Sequence, residues 1–151
     1  MPLAIVCAMT ATLTRLILMF LLALASNAQA APTVVNPDRA RIEALAGEPQ
    51  DAVRFFRVVF WQPIDEETLV VWLGKEEPYL LTLRRKCEGL LEESTLRLAE
   101  YSRPGRNMLR ARWSQILTVD GRVCRITHLR ALDLDGLRAL GPRYVPAAEF
   151  G

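Results

Sequence analysis

The sequence predicts an α+β fold, mostly β. It reads as a single small domain with a curled antiparallel sheet or small barrel of six to seven strands and a short helix at each end. Three observations predict it. Between residues 53 and 129, apolar residues recur in short runs, mostly with period two, broken by clusters of Pro, Gly, Asp and Glu. Helix-start chemistry occurs at two places, Asn36-Pro37-Asp38 and Asp133, which bracket those runs. Setting aside the first thirty of the 151 residues leaves 121, enough for one ordinary domain and too few for two.

The first thirty residues read as an export leader. Arg15 is the only charge before the apolar run 16–25, which ends in Ser26-Asn27-Ala28-Gln29-Ala30. The small residues Ala28 and Ala30 suit a signal peptidase cutting before Ala31. A membrane span takes about 20 apolar residues, and this run is shorter. An uncleaved N-terminal anchor, with residues 1–14 joining the span, is the alternative. Met9 is an alternative start that places Arg15 six residues in. The expected division is a signal peptide over 1–30, a flexible lead-in over 31–35, one domain over 36–141 and a C-terminal tail over 142–151. On this reading the membrane is met only transiently, through the leader, and the mature protein is periplasmic or secreted.

Asn36 supplies a capping side chain, Pro37 the first helical position and Asp38 an acid in the first turn. Ile42 and Leu45 give this helix a narrow apolar stripe, with Gly47 as its stop. Residues 53–61 are apolar on both faces, as in a doubly covered strand. Strands follow over 68–73, 79–84 and 95–101, with turns at 63–67 and 74–78. After a Pro-Gly turn at 102–106, Leu109, Ala111 and Trp113 alternate with Arg110 and Arg112, predicting a strand with Trp113 facing inward. Residues 116–119 and 122–129 form a hairpin about Asp120-Gly121, a pair suited to a type I′ turn. Asp133 caps a last helix through Leu134, Leu137 and Leu140, stopped by Gly141-Pro142. The aromatics Phe55, Phe56, Phe60 and Trp61 cannot all face one small interior. Either the N-terminal helix covers the second face, or some of them line a groove or a subunit contact.

An oxidising compartment makes a cysteine pair a disulfide as a rule. Without the leader, Cys87 and Cys124 remain of three cysteines. Alternation puts Cys124, Ile126 and His128 on one inward face, close to the end of the third strand, where Cys87 follows. Free thiols or a redox-active pair are the other readings, although active dithiols usually sit as C-x-x-C.

Chemistry is harder to find. One histidine restricts catalysis, and Ser102 or Ser114 with His128 and Asp120 lacks the G-x-S-x-G turn of a nucleophile elbow. The sequence therefore nominates no catalytic residue. No H-x-H or H-E-x-x-H spacing offers a metal site, and no cofactor is implied. The acid pairs Glu66-Glu67, Glu76-Glu77 and Glu92-Glu93 fall in turns or loops, as solvated charges. Of 19 basic residues 17 are Arg, and residues 84–130 carry eleven basic against five acidic groups. Arg103 and Arg106 in a turn, with Arg110 and Arg112 on the wet face of the next strand, form a candidate anion-binding surface; a dispersed, solvated surface is the alternative. Arg122 and Arg125 have opposite parity and cannot share a face. Compartment and the lack of a binding motif exclude nucleic acid.

Trp61, Leu69-Val70-Val71-Trp72, Tyr79-Leu80-Leu81-Thr82-Leu83, Cys87 and Leu90, followed by Val123-Cys124-Arg125-Ile126-Thr127-His128-Leu129-Arg130 and Leu132-Asp133, form an ordered series. In order and spacing it resembles a family of small exported proteobacterial proteins, domain of unknown function 6491, over roughly residues 40–140. The resemblance implies export, a domain of this extent and the disulfide, and carries no assigned activity. Two departures stand out. Many relatives resemble lipoproteins, with a cysteine straight after the apolar leader, where this chain has Ala28-Gln29-Ala30. Relatives also tend to carry an aromatic-Asp pair where this chain reads Trp113-Ser114. The resulting expectation is a non-catalytic binding or structural module of the cell envelope, whose partner is an envelope protein or an anionic envelope component. The alternative is an enzyme or inhibitor-like factor acting on envelope substrates.

Overall fold

The computed structural model describes residues 36–100 and 107–147. The leader, its cleavage residues Ala28, Ala30 and Ala31, the lead-in and the 102–106 turn lie outside them. Helix α1 spans Pro37–Glu43 and α2 spans Leu134–Ala139. Strands are β1 Ala46–Pro49, β2 Ala52–Arg54, β3 Phe60–Pro63, β4 Thr68–Trp72, β5 Pro78–Leu83, β6 Arg97–Glu100, β7 Met108–Arg110, β8 Ser114–Leu117 and β9 Val123–Leu132. The main sheet runs β3-β4-β5-β9-β8-β6 with β1 also on β9, and β2 pairs β7 in a two-stranded ribbon. All pairings are antiparallel, and the sheet curls into a half-barrel.

Strand β9 is the spine. One of its edges carries β5, from Tyr79 opposite Ala131 to Leu83 opposite Ile126. The other carries β8 at one end and β1 at the other. Between those two, the backbone N–H groups of Arg112 and Gln50 donate to the carbonyls of Ile126 and Leu129, each at 2.8 Å. This edge is thus bonded along its length by three separate segments.

Both faces of the sheet are packed. On one, Leu69, Val71, Leu81, Leu83, Ile116, Ile126 and Leu129 meet Leu109 from the β2–β7 ribbon, with Val53, Phe55 and Val58 packed against them. On the other, Val70, Trp72, Leu80 and Leu132 meet Ile42 of α1, Leu137 of α2, and Tyr144 and Val145. Both alternatives for the aromatics hold in part: the N-terminal helix covers the second face, where Phe60 packs, while Phe56 stays exposed outside both cores and beside an open cleft. Residues 142–147, expected as part of a tail, are tied in: Trp72 Nε1 donates to the Tyr144 carbonyl at 2.9 Å, and the Tyr144 hydroxyl donates to Asp38 Oδ2 at 2.9 Å. Burial first, then the bond to Asp38, pushes the Tyr144 phenol up to about 12.

Both predicted caps are present, Asn36 Oδ1 accepting from Asp38 N at 3.1 Å and Asp133 Oδ2 from Gly136 N at 2.7 Å. A Cβ at Gly136 would lie 2.5 Å from Leu45 Cδ2, so a larger residue there needs the Leu45 side chain to shift. Other expectations are corrected. Helix α1 ends at Glu43, and Gly47 lies within β1 instead of stopping the helix. The single strand over 53–61 is two, since β2 pairs β7 while β3 pairs β4, and the chain crosses between them at 55–59. The strand through Trp113 stops at Arg110; residues 111–113 turn, Arg112 adopts a φ of 68°, and Trp113 is 58% exposed. The 119–121 loop is no type I′ turn, because Gly121, with φ 83°, has positive φ and Asp120 does not. Gly121 N donates to the Thr118 carbonyl and Thr118 N to the Arg122 carbonyl, the pattern of a three-residue loop ending in a left-handed glycine.

Candidate functional site

Cys87 and Cys124 are joined in a disulfide with a Cα–Cα distance of 5.8 Å. Cys124 lies opposite Ile116 and packs with Ile126 against the ribbon-side core, as alternation predicts. His128 does not share that face. Leu83 pairs Ile126 while Thr82 pairs His128, so Thr127 is an extra residue and the alternation slips. The Thr127 hydroxyl donates to the Thr82 carbonyl at 3.0 Å. Leu129 takes the inward place and His128 is exposed on the other face.

Ser114, His128 and Asp120 are not brought together. Ser114 is buried and its Oγ accepts from Arg110 N at 2.8 Å, whereas His128 stands exposed across the sheet. Asp120 accepts from the Thr118 hydroxyl in the hairpin loop, which holds its carboxyl below the usual range, helped by Arg122. Ser102 lies outside the described residues. Several acids enter surface pairs: Glu66 with Lys86 at 3.8 Å, Glu67 with Arg39 at 3.6 Å and Glu88 with Arg122. Among the described residues, no group of three or more His, Cys, Asp or Glu side chains is placed to hold a metal ion.

The expected arginine surface is only partly visible. Arg103 and Arg106 lie outside the described residues. Arg110 is half-buried at the end of β7 and Arg112 is exposed in the turn, so the two do not extend one strand face. A different set is assembled at the disulfide end. Arg84, Arg85, Gln115, Val123 and Arg125 line a cavity of about 300 Å³. Arg84 N donates to the Arg125 carbonyl at 2.9 Å, and Gln115 on β8 stands directly opposite Arg125 on β9. Sequence reading missed this set, although its signal was present. Arg84 and Arg85 lie just before Cys87, and Arg125 follows Cys124, so joining the cysteines joins the arginines.

A second, open cleft of about 580 Å³ is lined by Arg54, Phe55, Phe56 and residues 73–77, with Phe56 87% exposed.

Residues 8–143 match a family of unknown function, DUF6491. The chain is a DUF6491 protein. No curated protein and no solved structure matches it. The DUF6491 match covers both cysteines, both helices and every strand described here.

Proposed function

We propose that this DUF6491 chain is an exported, non-catalytic binding module of the cell envelope, held by one disulfide, whose partner is an envelope protein or an anionic envelope component. The observation that carries the reading is the Cys87–Cys124 bridge, a bond that persists in oxidising compartments. The leader pattern ending at Ala30 supports export, with the domain beginning near Asn36. Among the described residues no helix is long and apolar enough to cross a membrane, which is compatible with a periplasmic or extracellular protein. The test is to express the full chain with a C-terminal tag, fractionate the cells and measure intact mass before and after alkylation. A periplasmic or secreted protein beginning at Ala31, two hydrogens lighter than its reduced form, is the expected result. Cytoplasmic protein with two alkylatable thiols would overturn the reading.

A further inference from the structure

We propose that the cavity at the disulfide end is a binding site for a phosphate group, held by Arg84, Arg85, Arg125 and the Gln115 amide. The assignment rests on the binding-module reading and names the chemistry of its ligand.

Three arginines, all with exposed side chains, line one cavity. None of them has an ion-pair partner among the described residues, whereas neighbouring Lys86 and Arg122 are paired with Glu66, and with Glu88 and Asp120. Gathering like charges is unfavourable unless an anion neutralises them. Gln115 is a separate observation. It is only 9% exposed and it lines the cavity. Its side-chain amide is not among the buried groups left without a partner, so solvent in the cavity reaches it, and it is placed to donate to an anion that replaces that solvent.

The donor set fits phosphate better than a carboxylate. A guanidinium presents paired N–H groups that match either anion. A carboxylate offers two oxygens and one charge, whereas a phosphate monoester offers three terminal oxygens and a charge near −2. Three arginines match three oxygens. The volume of about 300 Å³ equals roughly ten waters at ~30 Å³ each, room for the phosphate and the start of its ester group. The backbone that carries the site is set before a ligand arrives. Arg84 N is bonded to the Arg125 carbonyl, and the disulfide ties Cys124, next to Arg125, to Cys87, two residues after Arg85, so the chain segments need no ordering on binding.

Phosphate of this kind occurs in soluble esters and in lipid headgroups, and two arms separate them. In the first, protein purified from cells expressing the full chain is titrated with inorganic phosphate, following the arginine Nε–Hε NMR signals. Saturable binding that weakens with added salt is expected. Arg84→Ala and Arg125→Ala should each weaken it about tenfold or more, as loss of a charged hydrogen-bond donor does. Arg125→Lys keeps the charge but loses the fork and should fall between. Gln115→Leu should weaken binding without changing its salt dependence, and Arg57→Ala, outside the cavity lining, should leave it unchanged. In the second arm, neutral phosphatidylcholine vesicles with and without phosphatidic acid are sedimented with the protein. Phosphatidic-acid-dependent binding that inorganic phosphate displaces supports a lipid headgroup. Phosphate binding without vesicle binding supports a soluble ester. No saturable binding in either arm, or equal affinity for Arg57→Ala and Arg84→Ala, would overturn the site. Exported, oxidised protein that fails to bind removes the site alone; reduced cytoplasmic protein that binds removes the envelope reading alone.

Discussion

One face of the main sheet is finished in two different ways along its length. Under the helices, Val70, Trp72, Leu80 and Leu132 are covered by Ile42, Leu137, Tyr144 and Val145. At the disulfide end the same face carries Arg84, Arg125 and Gln115 around a polar cavity. The change runs along single strands: alternate residues from β5 onward read Leu80, Thr82, Arg84, and on β9 Leu132, Arg130, His128 and, past the bulge, Arg125. The helices lie where the face is apolar, and the arginines stand where it is not. Apolar burial on this face is concentrated at one end, and the other end carries charge.

The strongest way to break that comparison is at the covered end. Trp72 has no exposed surface, and its indole N–H is bonded to the Tyr144 carbonyl. Trp72→Ala should cost about 3–5 kcal/mol, as a truncated buried aromatic does. Urea unfolding measures it, and a loss below about 1 kcal/mol would mean that the helices do not clamp this end. Next in size is the bridge at the other end. A double Cys87→Ala, Cys124→Ala variant should lose about 3–4 kcal/mol, the chain-entropy value for a loop of this length. A loss as small as that of a surface substitution would place the stabilisation of the arginine end in the β5–β9 ladder alone.

How far the two ends were legible in the sequence follows from the range of the forces that build them. The caps at Asn36 and Asp133, strands β4 and β5, and the inward Cys124 are set by neighbours a few residues away, and local pattern finds them. The break at residues 55–59 is different, because nothing nearby says that Val53 pairs Leu109 while Trp61 pairs Val71. The Thr127 bulge is equally invisible locally, and one extra residue moved His128 to the opposite face. The arginine cavity was half legible. Its residues adjoin the two cysteines, but Gln115 enters only through the β8–β9 register.

A smaller effect sharpens the covered end through pH. The Tyr144 phenol is raised from 10.0 to about 12 in the folded protein, chiefly by burial, with the bond to Asp38 next. Below the unfolded value both states keep the proton, so stability is independent of this group. Between about 10 and about 12 the unfolded chain loses its proton while the folded protein keeps it, and stability falls with rising pH. The urea midpoint should therefore decline across that window in the wild type and decline less in Tyr144→Phe. Equal slopes would place the phenol in water and loosen the link between α1 and the C-terminal turn.

The smallest effect tests a region that belongs to neither end, the turn between β7 and β8. Continuous alternation would bury Trp113, and its loss would then resemble that of Trp72. Instead Trp113 is 58% exposed and follows Arg112 at a φ of 68°. Trp113→Ala should thus cost less than about 1 kcal/mol, close to an ordinary surface change. Arg112 separates the alternatives by sign. A non-glycine residue in the left-handed region carries about 1–2 kcal/mol of strain, and glycine relieves it while adding entropy to the unfolded chain. Arg112→Gly should leave stability unchanged or raise it by up to about 1 kcal/mol. In a regular strand the same change would lower stability, since glycine there packs nothing and costs entropy. Chemical unfolding of the two variants beside Trp72→Ala decides the point, and a large loss in both would restore the continuous strand.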